Sequence, residues 1–205
     1  MIRLFLLVAA LLVFFVLRFF LRRFFVQVGT KAVAGQPDAL HLQRSANPAW
    51  RNPAAVEEIA RTLIAGGFAD LGAFTAPEMP PLIIRMFAKP EEAVYSCIYE
   101  HEKAGVWMDM FTRYQDNTGI TFTNTRDRGL AQRPGRPILH FPGLGAADLY
   151  QQFIKERPGG AMITLTAETL PRFYEESYAE SIAWRKNRGI TAEEVARVAQ
   201  TREKV

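Results

Sequence analysis

The residues best suited to chemistry in this 205-residue chain are few and scattered. Glu100, His101 and Glu102 are consecutive, Asp109 follows, and His140 stands in a later segment. Carboxylates and imidazoles of this kind can pair as acid and base or hold a metal. Neighbours on a strand point to opposite faces, so Glu100 and His101 do not readily share an ion, and a polar hairpin end accounts for the triplet without any chemistry. His101, Asp109 and His140 are therefore the catalytic candidates, and they would have to converge from separate elements. Cys97 is the only cysteine, which excludes an internal disulfide and a cysteine-based zinc site. With a histidine it could be a nucleophile, but in the run AVYSCIY a cysteine serves as a small buried apolar group. No cofactor and no metal are expected.

Three further features could bind rather than react. Gly143-Leu144-Gly145 opens a helix after the extended ILHF, but the third glycine of a phosphate-cradling loop is missing and Asp148 stands in its place. A helix entry is the plain reading. Arg126, Arg128, Arg133 and Arg136 lie in one Pro- and Gly-rich loop, either simply solvated or in contact with an anionic surface. Phe173, Tyr174, Tyr178 and Trp184 fall on more than one face of a late helix, so one face can pack on the domain while another docks a protein partner. The last segment mixes Glu193, Glu194 and Glu203 with Arg197, Arg202 and Lys204, which argues against a DNA-reading helix. No nucleic-acid partner is expected.

What positions these residues begins at the N-terminus. From Leu4 to Leu17 no side chain is polar, and after Arg18 the run resumes as Phe19, Phe20 and Leu21. At about 1.5 Å per residue this is roughly 27 Å of helix, one hydrocarbon thickness. Arg18, Arg22 and Arg23 alternate with phenylalanines, as befits a helix end among lipid headgroups. The competing reading is a cleaved signal peptide, but the residues after the apolar run are basic and aromatic where a cleavage site needs small neutral ones. Arg3 flanks one end of the run and Arg18, Arg22, Arg23 and Lys31 the other, with no acidic residue before Asp38. The positive-inside rule then places a single-pass anchor in the inner (plasma) membrane with the domain cytoplasmic. An uncleaved anchor with its domain outside is the alternative.

Residues 1–26 are thus expected as a transmembrane anchor, 27–52 as a linker, 53–166 as an α+β domain and 167–205 as a C-terminal helical segment. Asn52 and Pro53 start a helix that Gly66-Gly67 stops. Five runs rich in branched and aromatic residues follow: 71–75, 82–88, 93–101, 106–115 and 120–125. Short turns join them, so the sheet should be an antiparallel meander of four or five strands. Alternation puts Asp109, Arg113, Thr121 and Thr123 on one face, expected to be largely wet. Helices are expected over about 145–157 and 170–188, and Thr191 with Glu194 forms a capping box for a last one. The fold class is α+β, with helices packed on the sheet or extending from it.

The runs GFADLGAF, VYSCIYEHEKAGVWMDM and YAESIAWRKNRGITAEEVARVA resemble small bacterial membrane-anchored proteins of unassigned function. The resemblance implies a bacterial source and transfers no catalytic residue. Function is expected to be that of a single-pass accessory or protein-interaction module, with the bilayer and a protein as partners. The alternative is a membrane-tethered enzyme or small-ligand binder with a pocket between sheet and helices.

Overall fold

The computed structural model describes residues 2–80, 82–102, 104–127 and 129–202. The side chains of residues 2–11, including Leu4, and of Arg22, Ala199, Gln200 and Arg202 lie outside the described residues, as does all of Arg128. Contacts divide the chain into two compact units, one formed by Pro37–Asp127 with Gln132–Ile182, the other by Met1–Gln36, Arg128–Ala131 and Ala183–Val205.

The larger unit is built on a seven-stranded sheet whose strands follow one another in chain order: β1 (Gln43–Ser45), β2 (Ala69–Thr75), β3 (Ile83–Lys89), β4 (Val94–His101), β5 (Gly105–Arg113), β6 (Gly119–Thr123) and β7 (Ile138–His140). The α+β class holds. The sheet is not a pure meander, however, because β6 and β7 pair in parallel while all other neighbours are antiparallel. The reason is the connection: segment 124–137 is long enough to carry the chain back across the sheet before β7 begins, which a two-residue turn cannot do. At this edge the Gln132 carboxamide bonds both the amide (3.0 Å) and the carbonyl (2.8 Å) of Ile138. It takes the place of one rung of a further strand.

Both faces of the sheet are covered. On one, α2 (Pro53–Ala65) and α3 (Ala146–Glu156) bury Val56, Leu63, Leu149 and Phe153 against Phe87, Ile98, Met108 and Phe122. Asn52 caps α2 through Ala55 N at 3.2 Å, with Pro53 in the first turn. Glu100, on this same face, is buried and accepts the backbone amides of Arg51 (2.7 Å) and Asn52 (2.8 Å), fixing the entry to α2. On the other face, Leu165 and the first half of α4 (Thr169–Arg188) close over Tyr95, Cys97, Tyr99 and Phe111. Tyr95 ties this layer down, donating to Ile163 O (3.2 Å) and accepting from Leu165 N (2.6 Å). The expectation of a largely wet face with Asp109 and Thr123 is thereby corrected: Thr123 is 3% exposed. The physical reason is that segment 161–165 runs beside β5, with Ile163 N bonded to Arg113 O at 2.9 Å, and brings α4 with it.

The smaller unit joins the first helix, the end of α4 and the last helix. α1 runs from Ile2 to Ala34 and α5 from Ala192 to Arg202. Helix α1 therefore continues through residues 27–34, and α5 packs against its last turns: a Cβ at Gly29 would sit 3.1 Å from Ile190 and 3.7 Å from Val195. Lys186 Nζ donates to Gln36 O (2.8 Å). Thr191 caps α5 by accepting Glu194 N at 3.2 Å, but the other half of the expected capping box is not made. Glu194 instead accepts from Ala131 N (2.8 Å) and pairs with Arg188 (2.7 Å). Among the described residues no helix is long and apolar enough to cross a membrane; the side chains of 2–11, which supply the start of the expected span, fall outside them.

Candidate functional site: a polar row across the sheet

Strand register brings four polar side chains into one row. Cys97 on β4 pairs with Asp109 on β5, Asp109 with Thr123 on β6, and Thr123 with His140 on β7. Directly opposed residues in a sheet share a face, so the row needs no special loop to form. Thr123 Oγ1 is the junction. It lies 3.3 Å from Met108 O and 3.1 Å from Thr125 Oγ1, and it bonds the Asp109 carboxylate. A hydroxyl has one proton to give, so it can donate to only one of these at a time. Thr125 continues the row, its hydroxyl 3.4 Å and its carbonyl 3.2 Å from His140 Nδ1. The other ring nitrogen of His140 lies 3.9 Å from Asp127.

The inner end of the row is a cluster of weak acids. Burial lifts the Asp109 carboxyl to about 6, against the opposing effect of hydrogen bonds from Thr123 and Tyr99. Tyr99 is pushed well up by burial and by the neighbouring Cys97, Tyr174 and Asp109. Burial likewise raises the Cys97 thiol, with Asp109 adding to the effect, and the Tyr174 hydroxyl. At neutral pH the thiol and both phenols keep their protons; Tyr99 hydrogen-bonds the carboxylate directly, while Cys97 and Tyr174 are hydrogen-bonded to Tyr99. Trp107 stacks on Tyr99 at 5.0 Å between ring centroids, and Tyr174 from α4 lies 6.3 Å from Tyr99 with its ring tilted. This arrangement can hold and pass a proton. It does not make Cys97 a nucleophile, because the thiol is wholly buried and His140 is three strands across.

Of the three catalytic candidates, the structure brings Asp109 and His140 into one row and leaves His101 out. His101 lies opposite Gly105 at the far end of β4, four residues beyond Cys97, or about 13 Å along the strand. From His140 it is also three strands across, at roughly 4.8 Å each. Glu100 faces the opposite layer. Sequence reasoning missed Tyr99, Thr123 and Thr125. The alternation in VYSCIY, WMDMFTR and ITFT does place Cys97, Tyr99, Asp109 and Thr123 on common faces; the missing signal was the register that aligns them.

The other candidate residues are accounted for individually. Arg133 pairs with Glu180 at 2.7 Å, Arg136 donates to Asn117 O at 2.8 Å and lies 3.8 Å from Glu180, and Arg126 is exposed. Nearby, Arg113 is held between the rings of Phe111 (5.3 Å) and Phe173 (5.9 Å), where burial and then Arg136 lower it to about 10. Tyr174 bonds Tyr99, and Tyr178 donates to Pro37 O at 3.2 Å. Trp184, in the smaller unit, carries the Arg188 guanidinium over its ring at 5.5 Å. All four aromatic residues of α4 are half-buried. Among the described residues no group of three or more metal-ligating side chains is found.

Architecture and site together define an α+β sheet protein with a partly buried polar row and a helix whose apolar residues are exposed from Leu12 to Phe25. In comparisons with protein-family models, with curated proteins and with solved structures, nothing matches the chain.

Proposed function

We propose that this chain is a membrane-anchored accessory protein whose sheet domain is presented to a protein partner at the cytoplasmic face of the inner membrane. One observation carries the reading. Leu12, Val13, Phe14 and Phe15, at consecutive positions of α1, are each more than half exposed, and Leu17, Phe19, Phe20, Phe24 and Phe25 continue the pattern. Consecutive helical positions are about 100° apart, so the helix is apolar on every side and has no wet face to turn outward. Left in water, this surface of roughly 1,000 Å² would cost about 25 kcal/mol, and monomers rarely expose a patch of that size. A bilayer removes the cost from all sides at once. In the sequence the apolar run extends back to Leu4 and ends among Arg18, Arg22 and Arg23, whose charge excess favours the cytoplasmic side.

The test is fractionation without detergent. The full chain is expected in the membrane pellet and, in mild detergent, should bring down a stoichiometric protein partner. Full-length chain in the supernatant would defeat the anchor, and purification without a partner would defeat the accessory role. The Asp109–Thr123–Thr125–His140 row favours a second reading, a membrane-tethered enzyme or ligand binder. A small molecule retained through purification and lost in Asp109→Asn would promote it over the first.

A further inference from the structure

Charge is divided unequally between the two units. Met1–Gln36, Arg128–Ala131 and Ala183–Val205 hold twelve of the 25 lysines and arginines but only three of the 21 acidic residues, a formal charge of +9. The larger unit, with thirteen basic and eighteen acidic residues, is left at −5. The smaller unit is also the one that contains the apolar helix. Of its three acids, Glu194 is buried and paired with Arg188, so that pair is neutral and the excess resides on the other basic residues.

Helix geometry converts these residue numbers into heights. α1 is continuous from the apolar run through Ala34, so with Phe25 at the headgroup boundary, Gly29 stands about 6 Å and Val33 about 12 Å above it. Gly29 is where Ile190 and Val195 pack, and Gln36 is where Lys186 bonds. The end of α4 and α5 are thus fastened to the turns of α1 nearest the membrane. The segment around Ile190 and Val195 thus stands within about one Debye length of the lipid phosphates, where attraction to an anionic surface is not screened away, whereas Lys186 at Gln36 stands about 16 Å up.

We infer that the smaller unit is a docking surface for anionic phospholipid headgroups: α5 and the last turn of α4, locked onto the C-terminal turns of α1, form a cationic collar at the bilayer surface. The inference rests on the anchor reading above and deepens it by naming the lipid class and the segments that touch it. An anchored helix without the collar would be indifferent to headgroup charge. With it, each cation near an anionic leaflet contributes about a fivefold preference.

The experiment places the full chain in nanodiscs of phosphatidylcholine alone and in nanodiscs with about one third phosphatidylserine, and follows amide hydrogen exchange over 183–202. Exchange there should slow at least about fivefold in the anionic discs, return to the neutral-disc rate in high salt, and slow less in the variant Arg197→Gln, which removes an exposed cation of α5. Incorporation into both discs with equal exchange over 183–202 would overturn the collar while leaving the anchor standing. Failure to enter either disc would remove both. A polyuridylate added to the neutral-disc sample that slows the same amides as much as phosphatidylserine does would assign the charge to nucleic acid instead, and would also overturn the inference.

Discussion

Replacing Asp109 by asparagine should remove a pH dependence that the structure builds into the sheet. In the unfolded chain this carboxyl titrates near 3.8, and in the fold near 6. Below the lower value both states are protonated and the group costs nothing. Above the higher value the folded state must carry a partly buried anion, so stability falls as pH rises through the interval between them. A difference of about two units corresponds to roughly 3 kcal/mol, taken as an upper value because the side chain keeps partial exposure. Asparagine is neutral throughout and can still accept from Thr123 and Tyr99. Urea unfolding of the full chain in neutral detergent, followed by tryptophan fluorescence from pH 4 to 8, provides the assay, since Trp107 stacks on Tyr99 beside the site. Parent and variant should agree within about 1 kcal/mol at pH 4 and diverge to about 2–3 kcal/mol in favour of the variant at pH 8. Parallel curves across the range, or a variant that is the less stable at pH 8, would refute the reasoning.

Other side chains make equally definite claims. Glu100→Ala strips the backbone amides of Arg51 and Asn52 of their buried, charged acceptor and should cost about 2–3 kcal/mol in the same urea assay, with Glu100→Gln losing less. Gly119→Ala would place a Cβ 2.6 Å from Arg113 Cδ and 2.8 Å from Thr112 O; a loss of about 2 kcal/mol or more is expected. Adding Arg113→Ala should restore only part of it, because the backbone carbonyl remains. Cys97 is wholly buried with its thiol held protonated, so maleimide labelling should follow global unfolding in urea; rapid labelling of the native protein would show that the layer over β4 opens.

Five of the seven strands were legible in the sequence because β2 to β6 are each long enough to show branched and aromatic enrichment between turn residues. β1 was not read, and β7, recognised only as the extended ILHF, was not counted among the strands. Each is three residues long, and three residues cannot display a period. The parallel pairing of β7 was hidden for a related reason, since it depends on where a long loop returns rather than on any local preference. The gap between expected linker and observed helix at 27–34 has a tertiary cause: Gly29 reads as a break, but there it gives Ile190 and Val195 room to approach. The candidate site was half legible. Asp109 and His140 were picked out by residue type, yet what connects them is a register through two threonines, residues ordinary enough that no type-based search selects them. The covered face was misjudged because Asp109, Arg113 and Thr123 are polar, whereas β4 beside them, reading VYSCIY, has the near-continuous apolar character of a strand buried on both sides.

The anchor is tested most directly by cysteine accessibility in native membranes, using the silence of Cys97 as background. Val16→Cys should stay unlabelled by a membrane-impermeant maleimide in both intact and permeabilised cells, while Lys31→Cys should label only after permeabilisation. If Val16→Cys reacts as readily as Lys31→Cys, the helix does not lie in lipid and the proposed placement of the protein is wrong.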